Sequence, residues 1–392
     1  MTGVRVAARA PGEGHGLSEA GLRIETVSSA SDFARLAGSW DELVRAMPRP
    51  SPFLLHAWLR QWWGHYGGDD DLAVHVAYRG DRLVGALPLC VRRRLGLRVS
   101  EFVGGSWALL ADLLVAPGEE ASTAGALVEH AYSAPTGHDL ANLFGLPGSS
   151  SLVAALPPDA LRLVERLEAP VLDLTPGWDA VYSTKLSSKA RSERRRRRRQ
   201  LEALGTVEAS VARTREELEP ALDDAFRVHE LRWHGRHDPS GFVTPTGKHF
   251  HRAALLRLVD LDVPRIVTIR LDGRAIAFAL YLQLSGRAYG VTMAFDPAYA
   301  RFGPGWEAKL VSFETAADEG MVRAELLGAA AAHKRRFTDR FEPIYQGIGL
   351  PSTLRGRVAE GLLVGGIRAR RRIKRSETAR RLYDRVPRPA RG

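Results

Sequence analysis

The chain has 392 residues and a mass of 43.0 kDa, enough for two to three domains with their own cores. Its 45% hydrophobic and 26% charged residues are those of an ordinary globular protein, and they exclude a disordered or fibrous one. The single cysteine, Cys90, excludes an internal disulfide framework and fits a reducing compartment, while the formal net charge of +11 favours contact with phosphates, acidic polymers or anionic lipid.

Residues 1–21 lack the apolar core of a signal peptide and are expected to form a mobile leader. No apolar run is long enough to cross a bilayer, which points to a cytoplasmic setting, and the basic C-terminal tail leaves open a peripheral place at the inner membrane face. A first domain is expected over 22–182. Ser31 or Asp32 caps a helix running to Met47, and a second helix spans Leu54–Tyr66, with Trp58 and Trp62 on one face. Strands follow at Ala73–Tyr78, Leu83–Arg92 and Val99–Phe102. A helix at Ala121–Tyr132 and a strand at Asp139–Leu143 complete the region.

A second domain is expected over 183–350. It opens with a helix over Leu186–Leu204 in which charge overwhelms any apolar stripe, with Gly205 as its C-cap. A strand at Val207–Val211 and helices at Glu216–Gly235 and Phe250–Leu261 precede three strands, Arg265–Leu271, Ala275–Leu284 and Arg287–Ala294. Turns at Asp272-Gly273 and Ser285-Gly286 join these as a meander. The bend Arg301-Phe302-Gly303-Pro304-Gly305 then starts a helix to Gly320, and a strand covers Arg323–Leu327. Helix starts present unpaired N–H groups and a positive dipole end, so this bend reads either as a pyrophosphate cradle or as a plain turn. Residues 351–392 read as a basic helical tail that packs on the body or lies on anionic lipid. The two regions repeat one order of elements without a residue-level repeat.

Several segments carry a family resemblance. They are Pro52-Phe53 with Trp58-Leu59-Arg60-Gln61-Trp62-Trp63, and Leu186-Ser187-Ser188-Lys189 with the basic run Arg194–Leu201. Further along are Phe295-Asp296-Pro297-Ala298-Tyr299-Ala300-Arg301 with Gly303-Pro304-Gly305, and Leu326-Leu327-Gly328 with His333-Lys334-Arg335-Arg336-Phe337. In these the chain resembles the CelD-like acyltransferases, a GNAT-type family related to FemAB peptidyltransferases. The resemblance implies an α/β fold of two GNAT units in tandem, each a mixed sheet flanked by helices, with the second unit active. It also implies acetyl-CoA or another acyl-CoA as co-substrate, held by Arg301, Gly303, Gly305 and Trp306. The usual loop has the form [Q/R]-x-x-G-x-[G/A]; here Arg301-x-Gly303-x-Gly305 is one residue shorter.

No serine or cysteine nucleophile has a partner base, so direct attack on the thioester is expected. Candidate acid–base groups are Glu325, in an apolar strand where burial raises a carboxylate's pKa, then Asp296, His229 with Glu230, and Tyr289 as a proton donor to the leaving thiolate. Each has a plain structural alternative: a solvent-facing position on a half-exposed strand for Glu325, a turn residue for Asp296, a core histidine, a packed tyrosine. Arg232, Trp233 and Lys334 are candidate contacts to a sugar, polysaccharide precursor or small metabolite. The histidines 229, 234, 237, 249 and 251 lack ligand spacing, so no metal is expected. The clusters Lys185–Arg199 and Arg368–Arg391 suit a polyanion or anionic lipid, and no module for sequence-specific nucleic-acid binding is present. The alternatives to acyl transfer from acyl-CoA are a Fem-type aminoacyl-tRNA-dependent peptidyltransferase and a non-catalytic accessory protein of polysaccharide biosynthesis.

Overall fold

The protein was analysed as a computed structural model that describes residues 16–18, 21–132, 137–234, 241–328, 335–338 and 340–375. The expected leader lies outside these residues except at 16–18 and 21, and the end of the basic tail lies outside them too. The first part of the chain gives β1 (Gly16–Ser18), β2 (Leu22–Val27), α1 (Ala30–Ala34), α2 (Ala37–Ala46) and α3 (His56–Tyr66). It continues with β3 (Asp71–Arg79), β4 (Arg82–Arg94), β5 (Leu97–Phe102), β6 (Leu114–Val115), α4 (Glu120–Tyr132), β7 (Leu140–Pro147) and α5 (Ser151–Ala155). Then come β8 (Leu161–Asp173), α6 (Trp178–Lys185), α7 (Ser188–Glu202), β9 (Val207–Ala212), α8 (Arg215–Trp233) and α9 (Pro245–Leu258). The last elements are β10 (Pro264–Leu271), β11 (Arg274–Leu284), β12 (Arg287–Phe295), α10 (Pro304–Asp318), β13 (Arg323–Glu325), β14 (Arg340–Gly349) and α11 (Leu354–Arg375).

Local chemistry explains several boundaries. Thr214 and Glu217 form a reciprocal capping box at the start of α8. Asp272, Gly273, Ser285 and Gly286 all have positive φ, the geometry that two-residue hairpin turns require. The single helix expected from Ser31 to Met47 is instead two, α1 and α2, separated at Arg35 and Leu36. Gly205 lies beyond the C-cap, which is Ala203.

All strands join one mixed sheet in the order β1-β2-β3-β4-β5-β7-β14-β8-β13-β12-β11-β10-β9, with β6 beside β4. Pairing is antiparallel except for β5 with β7 and β12 with β13. The runs β2-β3-β4-β5-β7 and β9-β10-β11-β12-β13 are therefore two copies of one five-stranded arrangement that ends in a parallel pair, the tandem GNAT fold. Between them the halves exchange strands. β8 follows β7 in the chain but pairs with β13, and β14 follows β13 but pairs with β7. β8 and β14 also pair with each other from Arg340↔Val171 to Gly349↔Leu161.

Helices cover both faces. A large core spans the halves on one face, where Trp58 of α3 meets Phe250 and His251 of α9 edge-on at 5.0 and 6.0 Å. On the other face, α6 and α10 pack on the second half through Trp178, Phe313 and Phe337.

Candidate active site

β12 and β13 run together for only three residue pairs, Arg287↔Arg323 to Tyr289↔Glu325. Beyond them β12 continues to Phe295 with β11 at one side and no described strand at the other. A bulge sits where the strands part: Leu280 opposes Thr292 and Tyr281 opposes Gly290, so Val291 has no opposite number. The gap is a largely apolar cavity of about 120 Å³ between Gly290–Met293 of β12, Ala324 and Leu326 beside β13, and Lys309, Ser312 and Phe313 of α10. A slot bounded by two diverging strands admits an extended chain and offers it backbone hydrogen-bonding groups along one side.

α10 packs along this slot, and its first turn meets the end of β12 at Phe295. Gly303 is its N-cap with φ +67°, and Pro304 occupies the first turn. A Cβ on Gly305 would stand 2.7 Å from Phe295 Cδ1, so glycine is what lets α10 approach β12 here. Trp306 stacks on Phe337 at 5.0 Å, and exposed Arg301 lies over its neighbour Phe302. The positive helix end already has an internal counter-ion. Glu307 accepts two 2.8 Å hydrogen bonds from Arg194 of α7, and Arg198 lies 3.9 Å away. Arg197 Nη1 is 3.3 Å from the Cβ position of Gly303. Arg194, Arg197 and Arg198 with the α10 start enclose a separate space of about 20 Å³. The Arg197 side chain is 43% exposed and is held by Glu193 at 2.6 Å.

The acid–base candidates fall in separate places. Glu325 is fully buried rather than solvent-facing, and its surroundings are ionic: Arg323, Arg49 and Arg287 approach it at 2.7, 3.2 and 3.3 Å. Glu342 extends the cluster to Arg49, Arg323 and Arg340 at 3.0, 2.7 and 3.2 Å. Tyr289 is buried beside it and donates its hydroxyl to the carbonyl of Pro50; burial, then the charge of Glu325, pushes its ionisation up. Asp296 caps the turn Pro297–Phe302 by accepting the Ala298 amide at 3.0 Å. His229 lies on α8 with its ring parallel to Trp233 at 5.8 Å. Arg232 of the same helix covers Phe295 at 5.0 Å, so α8, β12 and the start of α10 meet through that phenyl ring. Lys334 lies outside the described residues; nearby Arg336 is over Trp306 at 5.9 Å.

Sequence spacing did not single out Arg49, Arg194 or Lys309, nor the β12 bulge. Their partners lie far away in the chain, and only the charge run containing Arg194 gave a local signal. Among the described residues no group of three or more histidine, cysteine or acidic side chains could hold a metal ion.

Burial lowers the pKa of both His229 and His251 to about 4. For His229 the charge of Glu230 pulls the other way; for His251 the 2.7 Å contact with the Gly247 carbonyl does, while His229 lowers it further. Both imidazoles are neutral at pH 7. Unfolded histidines titrate near pH 6.5, so below that the unfolded chain binds protons that the folded one does not. The stability these groups confer is whole above pH 6.5 and is lost as pH falls toward 4, by roughly 2–3 kcal/mol per histidine. Urea midpoints at neutral and mildly acidic pH check this. A His251→Phe variant should show a flatter dependence, and an unchanged one would refute the assignment.

Comparison with known proteins places this geometry. Residues 188–335 match the family model described as an acetyltransferase (GNAT) domain. No curated protein matches the sequence. Among solved structures, FemX aligns with a TM-score of 0.56 at 11% identity, covering 83% of this chain and 96% of that one. The C-terminal domain of a candidate lysylphosphatidylglycerol synthetase from Agrobacterium fabrum aligns at 0.54 and 12% identity, over 86% and 95% of the two chains. A tandem GNAT protein from the clavulanic acid biosynthesis pathway aligns at 0.49 and 14%, over 85% and 99%. The parted parallel strands, the bulge and the glycine-led α10 all fall inside 188–335, the segment that matches the acetyltransferase (GNAT) domain model, within a chain of GNAT fold.

Proposed function

We propose that the protein is an acyltransferase of the CelD-like kind, moving an acyl group, acetyl first of all, from acyl-CoA to an amine or hydroxyl of a sugar, polysaccharide precursor or small metabolite. The slot between β12 and β13, whose β12 wall ends at Phe295 against Gly305 of α10, carries this reading. In it Gly290–Met293 line the pantetheine arm, and the α10 amides with Arg197 and Arg198 meet the diphosphate. The acceptor loses a proton, its nitrogen or oxygen attacks the thioester carbonyl, and the thiolate leaves. His229 is the base we favour, because its resting form is neutral and it shares α8 with Arg232, beside the α10 start. A covalent route through Cys90 is disfavoured: the thiol is buried in β4 and burial pushes its pKa up.

Calorimetry with acetyl-CoA and longer acyl-CoAs tests the reading. Binding in the range of about 1 μM to 1 mM is expected, and no heat with any of them would end it. A second reading, transfer from charged tRNA in the Fem manner, is favoured by α7, whose Arg195 and Arg199 face solvent. Filter retention of total tRNA that falls steeply with salt, without acyl-CoA binding, would select it.

A further inference from the structure

α11 has two apolar faces. The inner one, with Ala359, Val364 and Ile367, packs on Val99, Leu140 and Ile348 of β5, β7 and β14. Its start is fastened to the first half: Thr353 donates to Asp139 at 2.6 Å, and Gly356 lies so close that a Cβ there would collide with the Asp139 carbonyl. The outer face is apolar as well. Leu354, Val358 and Leu362, one turn apart, are 77, 58 and 73% exposed, with exposed Gly361 and Gly365 between them. A globular protein gains nothing by presenting three large apolar side chains in a line to water.

Charge frames this stripe. Arg357 and Arg368 are exposed along α11, as is Arg355 with Asp139 at 3.4 Å, whereas the one acid of that stretch, Glu360, is held by Arg162 at 2.6 Å. The β4–β5 hairpin stands beside it, since Leu97 packs in the same cluster as Ile367. Its tip carries fully exposed Leu95 just after Arg93 and Arg94. Exposed apolar residues flanked by exposed arginines match a bilayer surface with anionic headgroups, where the arginines meet phosphates and the leucines enter the acyl boundary. A second copy fits poorly, because stacking two such faces brings like arginines together without acids. No described helix is long and apolar enough to cross a membrane.

The geometry points to α11, with the β4–β5 hairpin tip, as a docking surface that lays the protein on an anionic membrane. This stands independently of the acyl-transfer reading. Co-sedimentation of the full chain with vesicles of equal parts phosphatidylcholine and phosphatidylglycerol tests it. The wild type should pellet with these vesicles, remain in solution with pure phosphatidylcholine, and be released by salt. Leu354→Asp/Val358→Asp/Leu362→Asp and, separately, Arg357→Glu/Arg368→Glu should each lower partitioning about tenfold or more. Their thermal unfolding should match the wild type, because these side chains point to solvent. Failure of the wild type to bind anionic vesicles at low salt, or equal binding by the aspartate variant, overturns the proposal. So does a concentration-dependent dimer, in sedimentation velocity, that the same substitutions abolish while vesicle binding is absent.

Discussion

Glu325→Ala should destabilise the protein by about 3–5 kcal/mol, the usual cost of removing one partner from a buried ion pair. The carboxylate has no exposed surface, and its three guanidinium partners come from three segments: Arg49 ahead of α3, Arg287 on β12 and Arg323 on β13. Arg49 and Arg323 are only 14 and 15% exposed, so water cannot replace the lost partner. Glu342 alone would then face four arginines. The loss is also one of registration between halves, because Arg49 and Pro50 dock on Glu325 and Tyr289 from the first half. Denaturant midpoints of Glu325→Ala, Arg49→Ala and the double variant measure this, and the pair should show clear non-additivity. The same experiment decides the residue's role. As a general base, Glu325→Gln would cost about 10²–10⁴ in rate with stability intact; as an ionic anchor it lowers stability first, and any folded remainder stays active. A stable but inactive Glu325→Gln variant would overturn the anchor assignment.

What could be read from the sequence follows the range of the interactions involved. The β10–β11–β12 meander was legible because its turns are local, and Asp272-Gly273 and Ser285-Gly286 carry their own conformational signal. The start of α10 was legible for the same reason, through Gly303 and Pro304. β8 and β14 were not read at all. Their ladder joins residues roughly 170 positions apart, such as Val171 and Arg340, and β14 contains Pro343, which argues against a central strand. The apolar neighbours of Glu325 left burial and a solvent-facing position both open, and the charge that surrounds it could not be read, since Arg49 lies 276 residues away. Likewise the arginine run of α7 read as a solvated or polyanion-facing helix. In the fold it is divided: Arg194 turns inward to Glu307, while Arg195 and Arg199 remain outside.

Gly290→Leu should abolish most acyl-CoA binding while leaving the fold in place. Gly290 sits where β12 leaves β13, immediately before the bulged Val291, and lines the slot. A Cβ there meets only the carbonyl oxygens of Glu325 and Leu326 at 3.7 and 3.9 Å, ordinary contact distances, and its φ is not in the left-handed region. Alanine is therefore tolerated and serves as the control. Leucine adds three further carbons in a cavity of about 120 Å³, where the proposed pantetheine arm would lie. Displacing that side chain costs a ligand about 1–3 kcal/mol, which is roughly tenfold to a hundredfold in dissociation constant. Gly305→Ala makes an instructive contrast, because its Cβ would press on Phe295 at 2.7 Å and move β12 against α10, so it should lower stability and binding together. Calorimetry with acetyl-CoA, alongside melting curves, separates the two cases. If Gly290→Leu binds acyl-CoA as the wild type does, the slot between β12 and β13 is not the donor site, whatever else the protein binds.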